Sequence, residues 1–469
     1  MGIIKMIYNK NIYIRLVSLL LGVVFVILLS GCDEVVIEPV PTIELHSGYN
    51  VQLTSLSKNV TWESNNPSVA TVSSTGLVTA VSAGKATIYT HSSKEQQEVA
   101  CYLEVHPKRN ILFYIGGDSN LSNEAYEKIN KIRSGWQPGK GEMIIYVDHK
   151  EDGACLLRIS DVKGSNNYFR FDTIQYYGKE NSADHAVVSR VINKMKQDYP
   201  ADSYGMIFFS HASGWLPEGM LAQPRSLVID DGGSVRHEME YYDFAAAIPD
   251  KQFDFIILEA CLMADVISMY ELRNKTKYVL ASSAEIVSPG FTYIYEKEIM
   301  GLYDTKNHVS SVLTGFAQAY YDSITTRYKV NDDNCSTTMS IIKMDEMESL
   351  ASVTKTTLQG ISIDETSLTI SDIQTFDRPY GLISGAQKKS RYFDLADVLE
   401  NLVPETRYNS FIDRMEKTVI WKASTERFLL GDNGFYIKRH CGLSTYIEQD
   451  AYPFLNSVYR NSSWYKAIY

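Results

Sequence analysis

The chain has 469 residues and carries 45 lysines and arginines against 56 aspartates and glutamates, a net charge of −11. That balance argues against nucleic acid or anionic lipid as the main partner, and the length suits a small domain plus a large one. The six cysteines lie far apart with no CxxC, and neither HExxH nor a phosphate-binding glycine pattern occurs. A disulfide scaffold, a zinc peptidase and a nucleotide-binding loop are thereby excluded.

Residues 1–31 read as an export signal: Lys5, Lys10 and Arg15 precede the apolar run LVSLLLGVVFVILLSG. The stretch closes on Leu29-Ser30-Gly31-Cys32, which resembles a bacterial lipobox in which Cys32 is lipidated and becomes the mature N-terminus. The alternative is an uncleaved membrane anchor. Either reading places the remaining chain outside the cytoplasm; the lipobox reading makes it an outer-membrane or cell-surface lipoprotein, with the membrane engaged through lipid on Cys32. Asp33 and Glu34 resemble the surface-export signals of some Gram-negative lipoproteins. Residues 32–41, with Pro39 and Pro41, form a tether.

From residue 42 to 106 short alternating runs (VQLTSL, SVATVS, LVTAV, KATIYTH) are separated by turn residues, the pattern of a small β-sandwich. WESNNPSVATVSSTGLVTAVSAGKATI, 62–88, resembles the bacterial group 2 immunoglobulin-like domain. Trp62 is expected to pack its core, and Gly76 and Gly84 to serve tight turns. Such a module acts as a stalk or spacer.

The remainder, 108–469, alternates strands with helices, which predicts an α/β fold with a mainly parallel sheet. NILFYIGG (110–117), EMIIYVDH (142–149), YGMIFFS (204–210), FDFIILEA (253–260) and KYVLASS (277–283) read as strands. Helical patterns occupy 123–132, 184–198 and 264–274. Later, 337–344 and 443–449 read as strands, and 307–324 and 395–402 as helices.

Two of these apolar strands run into reactive residues. FDFIILEACLM, 253–263, carries Cys261 at its C-terminal end, and YGMIFFS ends on His211 within SHASGW. Strand tips of open α/β sheets are where ligands bind, and an imidazole beside a thiol supplies the base that makes it a nucleophile. His211 and Cys261 are therefore the candidate catalytic pair.

Five ordered segments resemble the clostripain family of cysteine peptidases: YIGGDSNL (114–121), SHASGWLP (210–217), RSLVIDDG (225–232), EACLMADVISMYELRNKTKYVLASSAE (259–285) and CGLSTYIEQ (441–449). The resemblance implies a caspase-like α/β/α sandwich over 108–469 and an endopeptidase with His211 as general base and Cys261 as nucleophile. It also implies an oxyanion site made by the backbone amides of Cys261 and Ala212, where the family pattern carries glycine. Cleavage after Arg or Lys is implied, with Glu259 or Glu285 as the acid that receives the cation. Glu259 stands where the family usually has aspartate, and EIVSPGFTY (285–293) lacks the family's second pocket aspartate. Family precursors are often cut between the histidine and cysteine segments, which points to Arg225 in LAQPRSL as a self-cleavage point. Calcium dependence is common among relatives. Asp230-Asp231 and Asp332-Asp333 could supply oxygen ligands but read as solvated loop acids, so no metal residue is assigned. The alternatives are a peptidase of non-basic specificity and a catalytically idle surface adhesin.

Overall fold

The computed structural model describes residues 40–55, 59–92, 97–117, 119–218, 229–230, 237–377, 389–430 and 434–469. Cys32 and Arg225 lie outside the described residues. The chain divides into two compact units, one running up to Lys108 and including Gln137–Gly141, the other comprising Arg109–Trp136 and Glu142–Tyr469.

The first unit contains β1 (Thr42–His46), β2 (Asn50–Gln52), β3 (Thr61–Ser64), β4 (Ala70–Val72), β5 (Leu77–Ala80), β6 (Gly84–His91) and β7 (Gln97–His106). They form a four-stranded sheet, β1-β7-β6-β3, and a three-stranded one, β2-β5-β4. Alternate residues such as Ala86 and Ile88 point into a shared core with Val51, Val78 and Leu103, the period-two burial of a sandwich. Gly76 takes φ +83°, and a Cβ there would come within 2.6 Å of the Leu53 carbonyl and 3.0 Å of the Trp62 ring. The turn and the packing of Trp62 thus need glycine together.

The second unit is built on a nine-stranded sheet. Its strands are β8 (Arg109–Gly117), β9 (Met143–His149), β10 (Gly153–Lys163), β11 (Phe169–Gly178) and β12 (Ser203–Phe209), then, after the short ribbon β13 (Ile229–Asp230) and β14 (His237–Glu238), β15 (Phe253–Glu259), β16 (Thr276–Ala281) and β17 (Thr338–Lys343). A two-residue β18 (Phe393–Asp394) lies outside this sheet, and β19 (Val419–Ser424) completes it. The order is β11-β10-β9-β8-β12-β15-β16-β17-β19, with β9, β8, β12, β15 and β16 parallel and both edges antiparallel.

The central strands are apolar almost throughout because both faces are covered. Leu112, Tyr114, Met206, Phe208, Ile256 and Leu258 enter one core, while Ile111, Phe113, Ile207, Phe209, Phe255 and Ile257 enter the other. The helices α1 (Ser122–Gly135), α2 (His185–Asp198), α3 (Tyr241–Ala247), α4 (Val266–Leu272), α5 (Thr292–Glu298) and α6 (Val309–Arg327) divide between these faces. α1, α5 and α6 pack on the second core, and α2, α3 and α4 on the first. The arrangement is the α/β/α sandwich expected from the sequence.

Two segments differ from expectation. The β10–β11 hairpin was not anticipated: β11 packs Phe169 and Phe171 against one core and Ile174 and Tyr177 against the other, and the alternation of 169–172 does not continue along the strand. Residues 443–449, expected as a strand, form only a two-residue ladder, Ser444–Thr445 with β18, and single bridges from Ser444 to Asp265 and from Glu448 to Asp364. That segment is buried on every side, and its apolar character reflects enclosure, not sheet membership.

Candidate active site

β12 and β15 are adjacent and parallel, with Phe209 paired to Glu259. His211 and Cys261 each lie two residues beyond this pair, at the same level on strands that run roughly 4.8 Å apart. Both line one cleft of ≈ 460 Å³, together with Asn120, Glu124, Glu259 and Glu285. The pair that the sequence singles out therefore faces a common cavity at the carboxyl edge of the sheet.

The two loops are locked against each other. Gly214 takes φ +55°, and a Cβ there would come within 2.5 Å of the Leu262 carbonyl and 2.9 Å of Asp265 Oδ2. Only glycine lets the histidine loop approach the cysteine loop so closely. Leu262, directly after Cys261, adopts φ +62°, a conformation that costs a branched L-residue roughly 1–2 kcal/mol. It is retained because the Leu262 amide donates to the Ala284 carbonyl at 2.9 Å and its side chain is buried. Trp215 is fully buried against Tyr446 and Tyr459, and the Tyr392 hydroxyl donates to the Ser213 carbonyl. Among the described non-glycine residues positive φ is confined to Asn59, Asn167, Lys251, Leu262, Gln359 and Leu429. Ala212 is thus free of the strain that a left-handed position would bring to alanine.

Asp265 caps α4, its Oδ1 accepting the Ser268 amide at 2.8 Å. Burial pushes its carboxyl up to about 7, with the cap hydrogen bonds opposing.

His211 Nε2 lies 2.7 Å from Asn120 Oδ1. With the amide oxygen as acceptor, the proton sits on Nε2 and the Nδ1 lone pair is left to act as base. Cys261 Sγ accepts the Ile286 amide at 3.4 Å, a donor that favours a negatively charged sulfur. Asn120 was not singled out by sequence reasoning; its position three residues after β8, the strand next to β12, is the signal that could have found it.

Beneath the floor of the cleft, which Glu259 lines, lies Lys128, a residue the sequence reading also missed. Glu259 is 2 % exposed. Its Oε1 accepts from Lys128 Nζ at 2.6 Å and from the Phe291 amide at 2.6 Å, and its Oε2 from the Tyr295 hydroxyl at 2.5 Å. Lys128, fully buried, also donates to the Pro289 carbonyl at 2.8 Å and Thr292 Oγ1 at 2.9 Å and lies 3.0 Å from Glu124 Oε1. Its ammonium sits 4.4 Å from the centre of the Phe209 ring. Burial pushes the Glu259 carboxyl up, while Lys128, Tyr295 and the Phe291 amide pull it back. The overlooked signal is a lysine inside the apolar stripe Ala125, Lys128, Ile129, Ile132 of α1, four residues after an acid.

Glu285 is half-buried on the wall of the cleft. Of the loop acids, Asp230 accepts the Ser182 amide at 2.8 Å, Asp332 the Asn334 amide at 2.9 Å, and Asp333 the Leu430 amide at 2.6 Å. They serve as loop acceptors, and among the described residues no group of three or more acid, histidine or cysteine side chains could hold a metal ion. Cys101, Cys155, Cys261, Cys335 and Cys441 form no disulfide among the described residues.

A mainly parallel sheet between two helical layers, with a histidine and a cysteine at neighbouring strand ends, defines the caspase-like class of cysteine peptidases. The clostripain family pattern matches residues 113–434, and the chain belongs to that family. Residues 42–102 match the bacterial Ig-like domain of group 2. The clostripain of Hathewaya histolytica is 25% identical over 215 residues, covering 40% of this chain and 41% of that protein, so the match spans less than half of the relative. An inactive zymogen C11 protease from Parabacteroides distasonis superposes with a TM-score of 0.64 at 27% identity, over 78% of this chain and 99% of that one. A secreted C11 cysteine protease from Bacteroides thetaiotaomicron, solved with an irreversible peptide inhibitor, gives 0.64 and 27% over 77% and 98%.

Proposed function

We propose that the chain is an endopeptidase in which Cys261 is the nucleophile and His211 the general base. His211 Nδ1 takes the thiol proton, and the sulfur attacks the scissile carbonyl. The imidazolium then protonates the departing amine, and a water activated by the same nitrogen hydrolyses the thioester. The backbone amides of Cys261 and Ala212 are the proposed donors to the oxyanion, and Asn120 holds the imidazole in the tautomer that the first step needs. The observation that carries this reading is the register of β12 and β15, which sets His211 and Cys261 side by side on one cleft.

The test is hydrolysis of a fluorogenic peptide library under reducing conditions by the full chain and by Cys261→Ala. Loss of turnover in the variant supports the assignment, and undiminished turnover by Cys261→Ala refutes it.

The proposal extends to location and processing. Lipid on Cys32 would hold the protein at the cell envelope, a placement outside the cytoplasm that accords with the secreted relative and the Ig-like module. Labelling with an alkyne fatty acid should disappear in Cys32→Ala. Cleavage after Arg225 would mature the chain, and N-terminal sequencing of the processed fragment tests it. The Arg or Lys preference implied by the family needs an acid turned toward the substrate. Glu259 is engaged with Lys128, which leaves Glu285 as the remaining candidate.

A further inference from the structure

We infer that Leu429, at the tip of a hairpin late in the chain, is a specificity-determining residue: it walls an apolar subsite for the substrate side chain immediately before the residue at the scissile bond. The inference rests on the peptidase reading, with Arg or Lys at the cleaved position, and deepens it. The hairpin consists of β20 (Arg427–Phe428) and β21 (Phe435–Tyr436), with Phe428 paired to Phe435. Leu429 follows β20 directly and lines the same cleft as His211 and Cys261.

The backbone at Leu429 is costly and firmly held. Its φ is +53°, a left-handed position that glycine or asparagine takes readily and a branched L-residue takes at a cost. A turn alone would not call for leucine. The Leu429 amide donates to Ser336 Oγ at 2.7 Å, and the Leu430 amide to Asp333 Oδ1 at 2.6 Å. Ser336 is buried just ahead of β17, and the fully buried Phe428 stacks on Phe435 with ring centres 5.3 Å apart. Gly434 packs so closely that a Cβ there would meet the Leu429 carbonyl at 2.3 Å. Leu262, the other leucine of positive φ, is buried, whereas Leu429 is half-buried with part of its surface on the cleft. The fold therefore presents this side chain to the cleft in one fixed place.

The cleft has two unlike walls. Glu124 belongs to α1, and Glu259 accepts from Lys128 of α1 and Tyr295 of α5; Leu121 and Ile286 pack on the second core beside these helices. Glu285 immediately precedes Ile286. Leu429 and Val287, like Cys261 itself, pack on the first core. Successive side chains of an extended peptide point to opposite sides. When the cation at the cleaved position turns to the acids, the side chain before it turns to Leu429 and Val287. Apolar area removed from water there favours an apolar residue, and a few methylenes suffice for discrimination of about tenfold or more.

The experiment measures kcat/KM for two peptides that share Arg at the cleaved position and one fluorogenic leaving group, and differ only in Leu or Ser before the Arg. The wild-type chain should favour Leu by about tenfold or more, and a ratio near unity overturns the inference. Leu429→Asn keeps the size of the side chain and suits the left-handed backbone. It should lower the Leu-to-Ser ratio by about fivefold or more through the Leu peptide alone, with the Ser peptide turned over as in the wild type. Leu429→Gly, which relieves the backbone and removes the wall, should give the same loss of preference, and Leu429→Met should retain most of it. An unchanged ratio in Leu429→Asn and Leu429→Gly overturns the assignment. So does an equal loss on both peptides, the result of a purely structural role. Hydrolysis of neither peptide, or hydrolysis that persists in Cys261→Ala, sinks the reading as an Arg-cleaving cysteine peptidase. Cys261-dependent hydrolysis of both peptides at equal rates sinks this inference alone.

Discussion

The strands β8, β12 and β15 lie side by side, and their two ends treat polar residues in opposite ways. At the amino ends Arg109, Ser203 and Asp254 form a closed knot. Arg109 reaches Asp254 at 3.2 Å, Ser203 Oγ at 2.8 Å, and the carbonyls of Leu302 and Asp304 at 2.9 and 3.0 Å. At the carboxyl ends Asn120, His211 and Cys261 open onto a cleft. One end spends its donors and acceptors on itself and locks the sheet. The other keeps an imidazole and a thiol accessible, as expected where the loops of a parallel sheet diverge. The difference teaches that the closed knot at the amino ends and the accessible imidazole and thiol are separated by about seven residues of apolar core, although the open end also keeps one buried ion pair, Lys128–Glu259, directly beneath it.

The sharpest break of this comparison comes at the open end. Cys261→Ala should lower kcat by about four orders of magnitude or more, since residues acting as a unit lose their effect together, while thermal unfolding moves little. At the closed end the reverse is expected. Arg109→Met leaves the Leu302 and Asp304 carbonyls without their donor while Asp254 keeps Lys277 at 2.7 Å, and should destabilise the chain by about 1–3 kcal/mol in denaturant titration, with kcat per folded molecule unchanged.

Asp265 sharpens the contrast through pH. Its folded carboxyl is raised to about 7 from an ordinary 3.8, so protons bind more tightly in the folded state. Its stabilising effect is full below about pH 4 and is lost as pH rises toward 7, a swing of up to about 4 kcal/mol. Asp265→Asn keeps the cap acceptor without a titrating group and should flatten that part of the stability–pH curve, measured by unfolding at pH 5 and 8. The smallest effect belongs to Asn120→Ala. Loss of the imidazole's partner should reduce kcat about tenfold with KM steady, and Asn120→Asp, which retains the acceptor, should recover most of it.

The central sheet was legible because strands covered on both faces are written as unbroken apolar runs, FDFIILE and YGMIFF among them. The candidate pair His211 and Cys261 stood out because each follows such a run, and the fold brings both to one cleft. Family resemblance ordered the surrounding segments. What escaped was polar and non-local. β11 is an edge strand whose apolar residues, Phe169 and Phe171 and then Ile174 and Tyr177, change spacing partway along, so its pattern was not read as a strand. Asn120 matters through a residue 91 positions away, and Lys128 through one 131 positions away. A lysine in an apolar stripe is visible in sequence, but the acid that makes it tolerable is supplied only by the fold. Glu259 could be read either as a substrate contact or as a hydrogen-bond acceptor at the strand end, and its oxygens accept from Lys128, the Phe291 amide and Tyr295.

The contact between Gly214 and the Leu262 carbonyl makes the histidine and cysteine loops one mechanical body. Displacing the imidazole drags the thiol with it, so the chain has no inexpensive way to disarm itself by tilting one partner out of line.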